Sequence, residues 1–412
     1  MKAVNRNLVL NLVKSGGPIS RKEIADRSGL SPATVTNLTA ELISEDLIRE
    51  MGAGKAARGR KPVLLRLNTR AGFVAGVKMM RDSLAVVVTD LDAEVIHHET
   101  APLPGAHPSA PAPDEVLEAV ATMVRAAFAA SGVQDADVLG VGIGLAGLID
   151  GKAGICRYSP VFGWRDVDLV GPLHAALGFD VFVENDVNAL TIAEQWFGHG
   201  HDRAHFAVVT IGFGVGLGVV ANGQFYRGRG GSAGELGHTT IVADGPQCGC
   251  GKRGCLEALA ADPAVVRHVA AAIERGEDSI LDRDTLTFDA VVAAAEQGDR
   301  VSQAALADAG HWLGMGMAMV ANVLAPELII VGGEGVAAGR WRLDSMHRAF
   351  EANAFDHVAE RTDVIIEPAG DETWARGAAC VVLGELYKSP LHDRTAVPRE
   401  RSVAAAPASS TK

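Results

Sequence analysis

The stretch Ser20-Arg-Lys-Glu23-Ile-Ala-Asp-Arg-Ser-Gly29-Leu-Ser31-Pro32-Ala-Thr-Val-Thr-Asn-Leu-Thr-Ala-Glu-Leu-Ile-Ser44 reads as helix, tight turn, helix. Ser20 stands three residues before Glu23, the spacing of a reciprocal N-terminal cap. Gly29 supplies a left-handed stop, and Ser31 caps the next helix with Pro32 at its first position. Val35, Leu38, Leu42 and Ile43 recur with the helical period and can pack inward. The short polar residues Thr34, Thr36, Asn37 and Thr39 gather near the start of that helix. Two helices joined by a glycine turn form the geometry that lays the second helix in a major groove.

Working outward, residues 4–14 carry Leu8, Val9, Leu12 and Val13 on one helical face, and Gly16-Gly17-Pro18 ends the run. On the other side, residues 47–50 and 63–67 flank a Gly-rich hairpin with the basic tip Ala57-Arg58-Gly59-Arg60-Lys61-Pro62. Residues 1–70 therefore read as a winged helix-turn-helix. Ser31, Thr34, Thr36 and Asn37 are placed to meet bases and phosphates, and Arg58, Arg60 and Lys61 to reach a phosphate or the minor groove. The competing reading is a protein-docking three-helix domain with an ordinary charged loop.

Charge favours the first reading. Residues 1–70 hold 13 basic and 6 acidic side chains, whereas the rest of the chain holds 25 basic and 44 acidic, within a net charge of −12. A cationic head can release counterions from a polyanion while the acidic body stays clear of it. A double-stranded DNA operator is the expected partner.

At 412 residues, 48% hydrophobic and 21% charged, the chain is long enough for two or three domains and too apolar to be disordered throughout. The longest apolar run, residues 138–149, is broken by glycines and too short to span a bilayer. The first residues show no signal-peptide pattern, so a cytoplasmic protein without membrane association is expected.

From residue 72 the pattern turns to α/β. Residues 73–79, 84–90 and 95–100 read as strands, 101–113 as a proline-rich connection and 115–131 as a helix. Strands at 138–143 and 181–184 and a helix at 186–197 follow. The theme recurs as strands 206–211 and 215–221, a helix over 301–324 and a strand at 328–331. Such a repeat suggests a duplicated α/β body over 71–387 with a ligand cleft between its halves. Residues 388–412, rich in Pro, Ala and Ser, read as a disordered tail.

Three of the five cysteines fall in Cys248-Gly-Cys250-Gly-Lys-Arg-Gly-Cys255, ten residues after His238. Three thiolates and an imidazole match a closed tetrahedral zinc site, and the glycines let the sulfurs converge. No position is left for water, so the zinc is read as structural. The bland alternative is a set of buried free thiols.

The run Arg227-Gly-Arg-Gly-Gly-Ser-Ala-Gly-Glu-Leu-Gly-His238, the cysteine loop with Leu256-Glu257-Ala258, Glu184-Asn185-Asp186-Val-Asn-Ala189, and Asn322-Val-Leu-Ala-Pro326 leading to Gly332-Gly333 resemble the signatures of the ROK family. That family comprises repressors, open reading frames and sugar kinases, and the winged-helix head belongs to its regulator branch. The resemblance implies an actin-like ATPase fold for the body and a sugar in the cleft. It also implies that Asn185, Asp186, Glu235, His238 and Glu257 contact sugar hydroxyls. Carboxylates and an amide suit hydroxyls, which both donate and accept.

Two functions compete: a sugar-responsive transcriptional regulator, expected to be a repressor of carbohydrate utilisation genes released by its sugar, and an ATP-dependent sugar kinase with an added DNA-binding domain. Kinases of the family carry Asp-x-Gly-Gly-Thr at the first strand pair. Here Lys78 stands at the Asp, Met80 and Arg81 at the glycines, and Asp82 at the Thr. Side chains then fill the phosphate space, and the charge at the metal side is reversed. The second turn, Gly212-Phe213-Gly214, keeps its glycines but has Phe where kinases usually have Thr. The general base position, Asp186, remains, and without a nucleotide it reads as a ligand contact. Val161, in Pro160-Val-Phe-Gly-Trp164, stands where the family often has a sugar-binding Asn, which favours a ligand lacking one hydroxyl, such as a pentose such as xylose. Glucose and N-acetylglucosamine derivatives remain alternatives. A homodimer or homotetramer reading a palindromic operator is expected.

Overall fold

The computed structural model describes residues 2–53, 62–103 and 111–387. The basic tip with Arg58, Arg60 and Lys61, part of the proline-rich connection, and the tail from residue 388 lie outside the described residues. The chain divides into two compact units, one made of residues 1–69 with 385–412 and the other of 70–384.

In the first unit, helix α1 (Lys2–Ser15) leads to a short strand β1 (Ile19–Ser20), then α2 (Arg21–Ser28) and α3 (Pro32–Ser44). Strands β2 (Ile48–Ala53) and β3 (Val63–Leu67) complete a three-stranded sheet of order β1-β3-β2. Both halves of the Ser20/Glu23 cap form, and Gly29 adopts φ 69° as it closes α2. The Ser31 hydroxyl accepts from the Thr34 amide and caps α3. Burial on α1 falls on Val9, Leu10 and Val13, while Leu8 is exposed. The inward face is thus turned by about one residue from the sequence expectation, because β3 and the α2–α3 pair select the side of the helix that packs. Strand β1 has only two residues and leaves no periodic signal, but Ile19 and Ser20 pair with Leu65 and Leu64.

The second unit begins with β4 (Phe73–Met79), β5 (Ser83–Thr89) and β6 (Val95–Pro102), followed by α4 (Pro113–Ser131) and β7 (Val138–Leu145). A small antiparallel sheet of β8 (Leu148–Asp150), β9 (Ile155–Ser159) and β10 (Trp164–Asp168) intervenes. It is followed by α5 (Val170–Leu177), β11 (Val181–Asn185) and α6 (Asp186–Phe197). The first large sheet has the order β11-β7-β4-β5-β6. Strands β4, β5 and β6 run antiparallel to one another, and β7 and β11 add in parallel.

The same plan is then repeated. Strands β12 (Phe206–Ile211), β13 (Val215–Ala221) and β14 (Gln224–Phe225) form the meander. Helices α7 (Leu256–Ala260), α8 (Asp262–Glu274), α9 (Phe288–Glu296) and α10 (Arg300–Leu324) precede β15 (Leu328–Gly332). Helix α11 (Arg340–Asn353), β16 (Asp363–Glu367) and α12 (Asp371–Tyr387) close the chain. The second sheet has the order β14-β13-β12-β15-β16, with β15 and β16 parallel to β12. Meander first, then two parallel strands on the same side, is the plan of both sheets.

Each sheet has its own apolar core. One gathers Val77, Val86, Val120, Val124 and Ile143, and the other Val209, Leu313, Met317, Val331 and Phe350. Glycines in the strands permit close helix approach: a side chain at Gly76 would lie 2.1 Å from the Ala375 carbonyl of α12, and one at Gly142 1.9 Å from that of Ala378. These are backbone collisions that no rotamer could relieve. Among the described residues no helix is long and apolar enough to cross a membrane.

Candidate ligand cleft, metal loop and DNA-binding face

Asn185 and Asp186 sit where β11 turns into α6. The Asn185 side-chain oxygen accepts from the amides of Val187 (3.0 Å) and Asn188 (3.1 Å), and its amide donates to the Gly147 carbonyl at 3.1 Å. It is therefore the N-cap of α6, which fixes the direction of the neighbouring carboxylate. That carboxylate, Asp186, is mostly buried and forms an ion pair with the equally buried Lys78 of β4. The Lys78 ammonium also lies 4.6 Å from the centre of the Trp374 ring, a cation–π distance. Trp374 in turn donates its indole N–H to Glu334 at 2.8 Å. Burial pushes the Glu334 carboxyl above its usual range, the nearby Asp186 charge adds to that, and Lys78 opposes it.

The β4–β5 turn is closed by the Met80 amide on the Ser83 carbonyl at 2.9 Å. Arg81 projects from it to within 5.8 Å of the Phe213 ring, which belongs to the corresponding turn of the second sheet. In that second turn Gly212 and Gly214 are hydrogen-bonded at 3.0 Å. A side chain at Gly212 would meet Glu334 at 2.5 Å, and one at Gly214 would meet Glu257 at 2.7 Å. The glycine turn is thus flanked by two carboxylates.

Glu257 lies on α7 and accepts from the Val215 amide at 3.3 Å. Its other oxygen is 3.9 Å from His238 Nδ1. Glu235 carries solvent-accessible surface yet is hemmed in by protein. Desolvation raises its pKa, His238 opposes this and Glu257 reinforces it. The structure therefore brings Glu235, His238 and Glu257 together. Asn185 and Asp186 form a separate pair at the head of α6, which packs on β13, the strand whose Val215 amide is bonded to Glu257. Phe162 and Trp164, which follow Val161 in the same segment, are buried and stacked with centroids 4.6 Å apart.

Sequence reasoning missed Glu184, Glu334 and Trp374. Glu184 is buried, salt-bridged to Arg227 at 2.7 Å and bound to the Asn188 amide at 3.0 Å. Its position next to Asn185 was the available signal. Glu334 and Trp374 lie far apart in sequence and gave none.

The His238, Cys248, Cys250 and Cys255 donor atoms all lie within 4.8 Å of one another. A tetrahedral zinc with bonds of about 2.3 Å to sulfur and about 2.0–2.1 Å to nitrogen requires edges of roughly 3.8 Å between sulfurs and roughly 3.6 Å between sulfur and nitrogen. Cys250 and Cys255 sulfurs are 3.7 Å apart, and the Cys248 sulfur is 3.6 Å from His238 Nδ1. The donor set fits such an ion. Burial, with help from the neighbouring thiols, pushes the Cys255 thiol up to about 12, so a cation is needed to hold it as thiolate. Gly254, at φ 66°, makes the fold-back possible: a side chain there would fall 1.5 Å from the Val242 carbonyl.

On α3, Ser31, Thr36 and Asn37 are exposed and Thr34 is half-buried. The Thr36 hydroxyl is already donated to the Pro32 carbonyl at 2.8 Å. Thr39, one of the short polar residues read near the start of the helix, is fully buried and receives the Arg21 Nε–H at 2.9 Å. It holds α2 to α3 and is unavailable to a partner. Arg21 also reaches Glu50 of β2 at 2.8 Å, tying helix pair to wing.

Residues 5–49 match the winged helix-turn-helix DNA-binding family, and residues 74–385 match the ROK family. The chain is 28% identical over 394 residues to the xylose repressor of Caldicellulosiruptor bescii, covering 95% of this chain and 98% of the relative. Among solved structures, a ROK family transcriptional regulator homologous to the E. coli MLC protein superposes with a TM-score of 0.82 at 29% identity, over 95% of this chain and 98% of the other. A ROK family glucokinase from Streptomyces griseus, solved with glucose and AMPPNP, matches 75% of this chain and 99% of its own, with a TM-score of 0.64 and 29% identity. The kinase match leaves a quarter of the chain uncovered, whereas the regulator match takes in head and body together. With a winged helix-turn-helix in front and an actin-like ATPase-fold body behind, this chain belongs to the ROK family.

Proposed function

We propose that the protein is a cytoplasmic sugar-responsive transcriptional repressor of carbohydrate utilisation genes that leaves its operator when sugar binds. The observation that carries this reading is the end-to-end similarity to a xylose repressor and to a ROK transcriptional regulator, in a chain that joins both parts. In this reading residues 1–70 grip DNA and residues 71–387 sense the ligand. Ser31, Thr34, Thr36 and Asn37 approach bases and phosphates, and Arg58, Arg60 and Lys61 add phosphate contacts. Two heads in a homodimer, or in pairs within a homotetramer, read a palindromic operator.

The ligand is a sugar held by Asn185, Asp186, Glu235, His238 and Glu257, and the apolar Val161 favours a pentose. A Zn2+ ion held by His238, Cys248, Cys250 and Cys255 supplies a rigid cross-link for the loop. It thereby fixes the imidazole that faces Glu257. Only a ligand that prefers one arrangement of the body can shift DNA affinity.

The kinase alternative is disfavoured by Lys78. A general base must be free to take a proton from the sugar hydroxyl, and Asp186 is engaged by an ammonium group instead. Met80 and Arg81 stand where phosphate would need glycine. An operator gel shift titrated with xylose, glucose and N-acetylglucosamine tests the proposal: one sugar should release the DNA at concentrations where the others do not. Indifference to all sugars and sugar phosphates, or turnover of ATP with any of them, would overturn it.

A further inference from the structure

The body carries a cationic groove away from the cleft. It is a shallow groove of about 570 Å³, open to solvent, between α10 and α11, lined by Arg300 and Gln303 from the first helix and by Arg340, Trp341, Asp344 and Arg348 from the second. Arg300, Arg340 and Arg348 are exposed, and none forms an ion pair or side-chain hydrogen bond with a described residue. Arg340 stacks on Trp341 with its guanidinium 4.4 Å from the ring centre, which holds the fork in place. Trp341 is itself anchored by its indole N–H on Glu296 at 2.8 Å.

Three unneutralised guanidinium groups around one concavity are at odds with their setting. Beyond residue 70 the chain has 44 acidic and 25 basic residues, so carboxylates to pair them are plentiful. Arginines left without a carboxylate partner are free to engage an anion. Arginine forks suit the oxygens of phosphate in pairs. Arg340 and Arg348 are two turns apart on α11, about 12 Å along its axis, so one ligand meets both only if it carries two separated anionic groups. Asp344 lies between them, one turn from each. A carboxylate there repels a bare polyphosphate chain but accepts from hydroxyl groups, as Gln303 also can.

We propose that this groove binds a small organic bisphosphate, with phosphates on the arginines and hydroxyls on Asp344 and Gln303. The site is distinct from the sugar cleft. The residues that line it occupy the outer face of α11, whereas Arg342, Met346 and Phe350 on the same helix are buried. Arg342 bonds Asp262 at 2.7 Å, and the Asp262 amide bonds the Gly212 carbonyl at 2.9 Å, so the inner face of this helix holds the second glycine turn.

The test is calorimetric titration of the full-length protein with fructose 1,6-bisphosphate as the probe, with pyrophosphate and inorganic phosphate as comparisons, at constant ionic strength. Saturable one-to-one binding is expected for the sugar bisphosphate, at least tenfold tighter than for pyrophosphate. Arg340→Ala with Arg348→Ala should weaken it at least tenfold, Asp344→Asn should narrow the margin over pyrophosphate, and Glu235→Gln in the cleft should leave it unchanged. Circular dichroism of the exposed-arginine variants should match the parent. Non-saturable heat that scales with charge, equal affinity in the arginine variants, or loss of binding in Glu235→Gln would each overturn the proposal. So would a reduced salt dependence of operator binding in the arginine variants without bisphosphate binding by the parent, which would assign the groove to DNA phosphates.

Discussion

The two large sheets share one strand order, and each has a hairpin turn at the same place in its meander, yet the two turns differ in what occupies them. At the β4–β5 turn the space is filled from within by Lys78, Met80 and Arg81, and the Lys78 ammonium is paired to Asp186. At the β12–β13 turn Gly212 and Gly214 leave room that Glu334 and Glu257 approach. Only the second half also carries the cysteine loop. A duplicated scaffold thus tolerates opposite chemistry at equivalent points, because the sheet fixes the backbone while the turn residues decide charge and space.

The largest expected effect breaks the asymmetry at the metal loop. Cys250→Ser should lower bound zinc from about one ion per chain to near zero, measured by plasma mass spectrometry, since a structural ion of this type contributes of the order of 10 kcal/mol to its fold. Zinc retained in full would remove Cys250 from the ligand set. Next comes the support behind the second turn. Arg342 is fully buried with Asp262 as its ion-pair partner. Arg342→Met strands that carboxylate and should cost about 3–5 kcal/mol in denaturant unfolding.

The first turn gives a smaller effect. Lys78→Ala leaves Asp186 without its cation and should cost about 2 kcal/mol, since both groups keep slight solvent access. The variant should still fail to phosphorylate sugar, because Met80 and Arg81 remain; phosphotransfer on removing Lys78 alone would make that lysine the sole block. The two turns also differ in how they respond to pH. Burial raises the folded pKa of Glu334 above 4.5, so from pH 4.5 up to the raised value the folded state holds the extra proton. Stability from this group is greatest at the acid end of that window and falls as pH rises. Glu334→Gln should flatten that part of the stability profile, and an unchanged slope would mean that other carboxyls dominate it. The smallest effect lies in the head: Arg58→Ala and Arg60→Ala should each lower the salt dependence of operator binding by about one, if each meets a phosphate.

Much of this was legible in local sequence. The caps at Ser20 and Ser31, the stop at Gly29 and the strand pairs all depend on neighbours within a few residues, so spacing alone reveals them. The metal loop was legible because its three sulfurs are close in the chain. Leu8 and Thr39 were misjudged for the opposite reason. The helical period marks a stripe, but which edge of it is buried depends on the partner element, and Thr39 is buried because Arg21, eighteen residues earlier, needs an acceptor. Glu334 and Trp374 were illegible because they meet each other across 40 residues, and the Glu184 ion pair because Arg227 lies 43 residues away, although its place beside Asn185 was a local signal.

The cationic head, the α/β repeat and the thiol cluster are written in the linear chain, since charge, period and short spacing are properties of contiguous residues. Tertiary structure alone decided that Lys78 neutralises Asp186, 108 residues away, and that Glu334 and Glu257 line the glycine turn. Ion pairs and desolvation depend on distances that only the packed sheets and helices set.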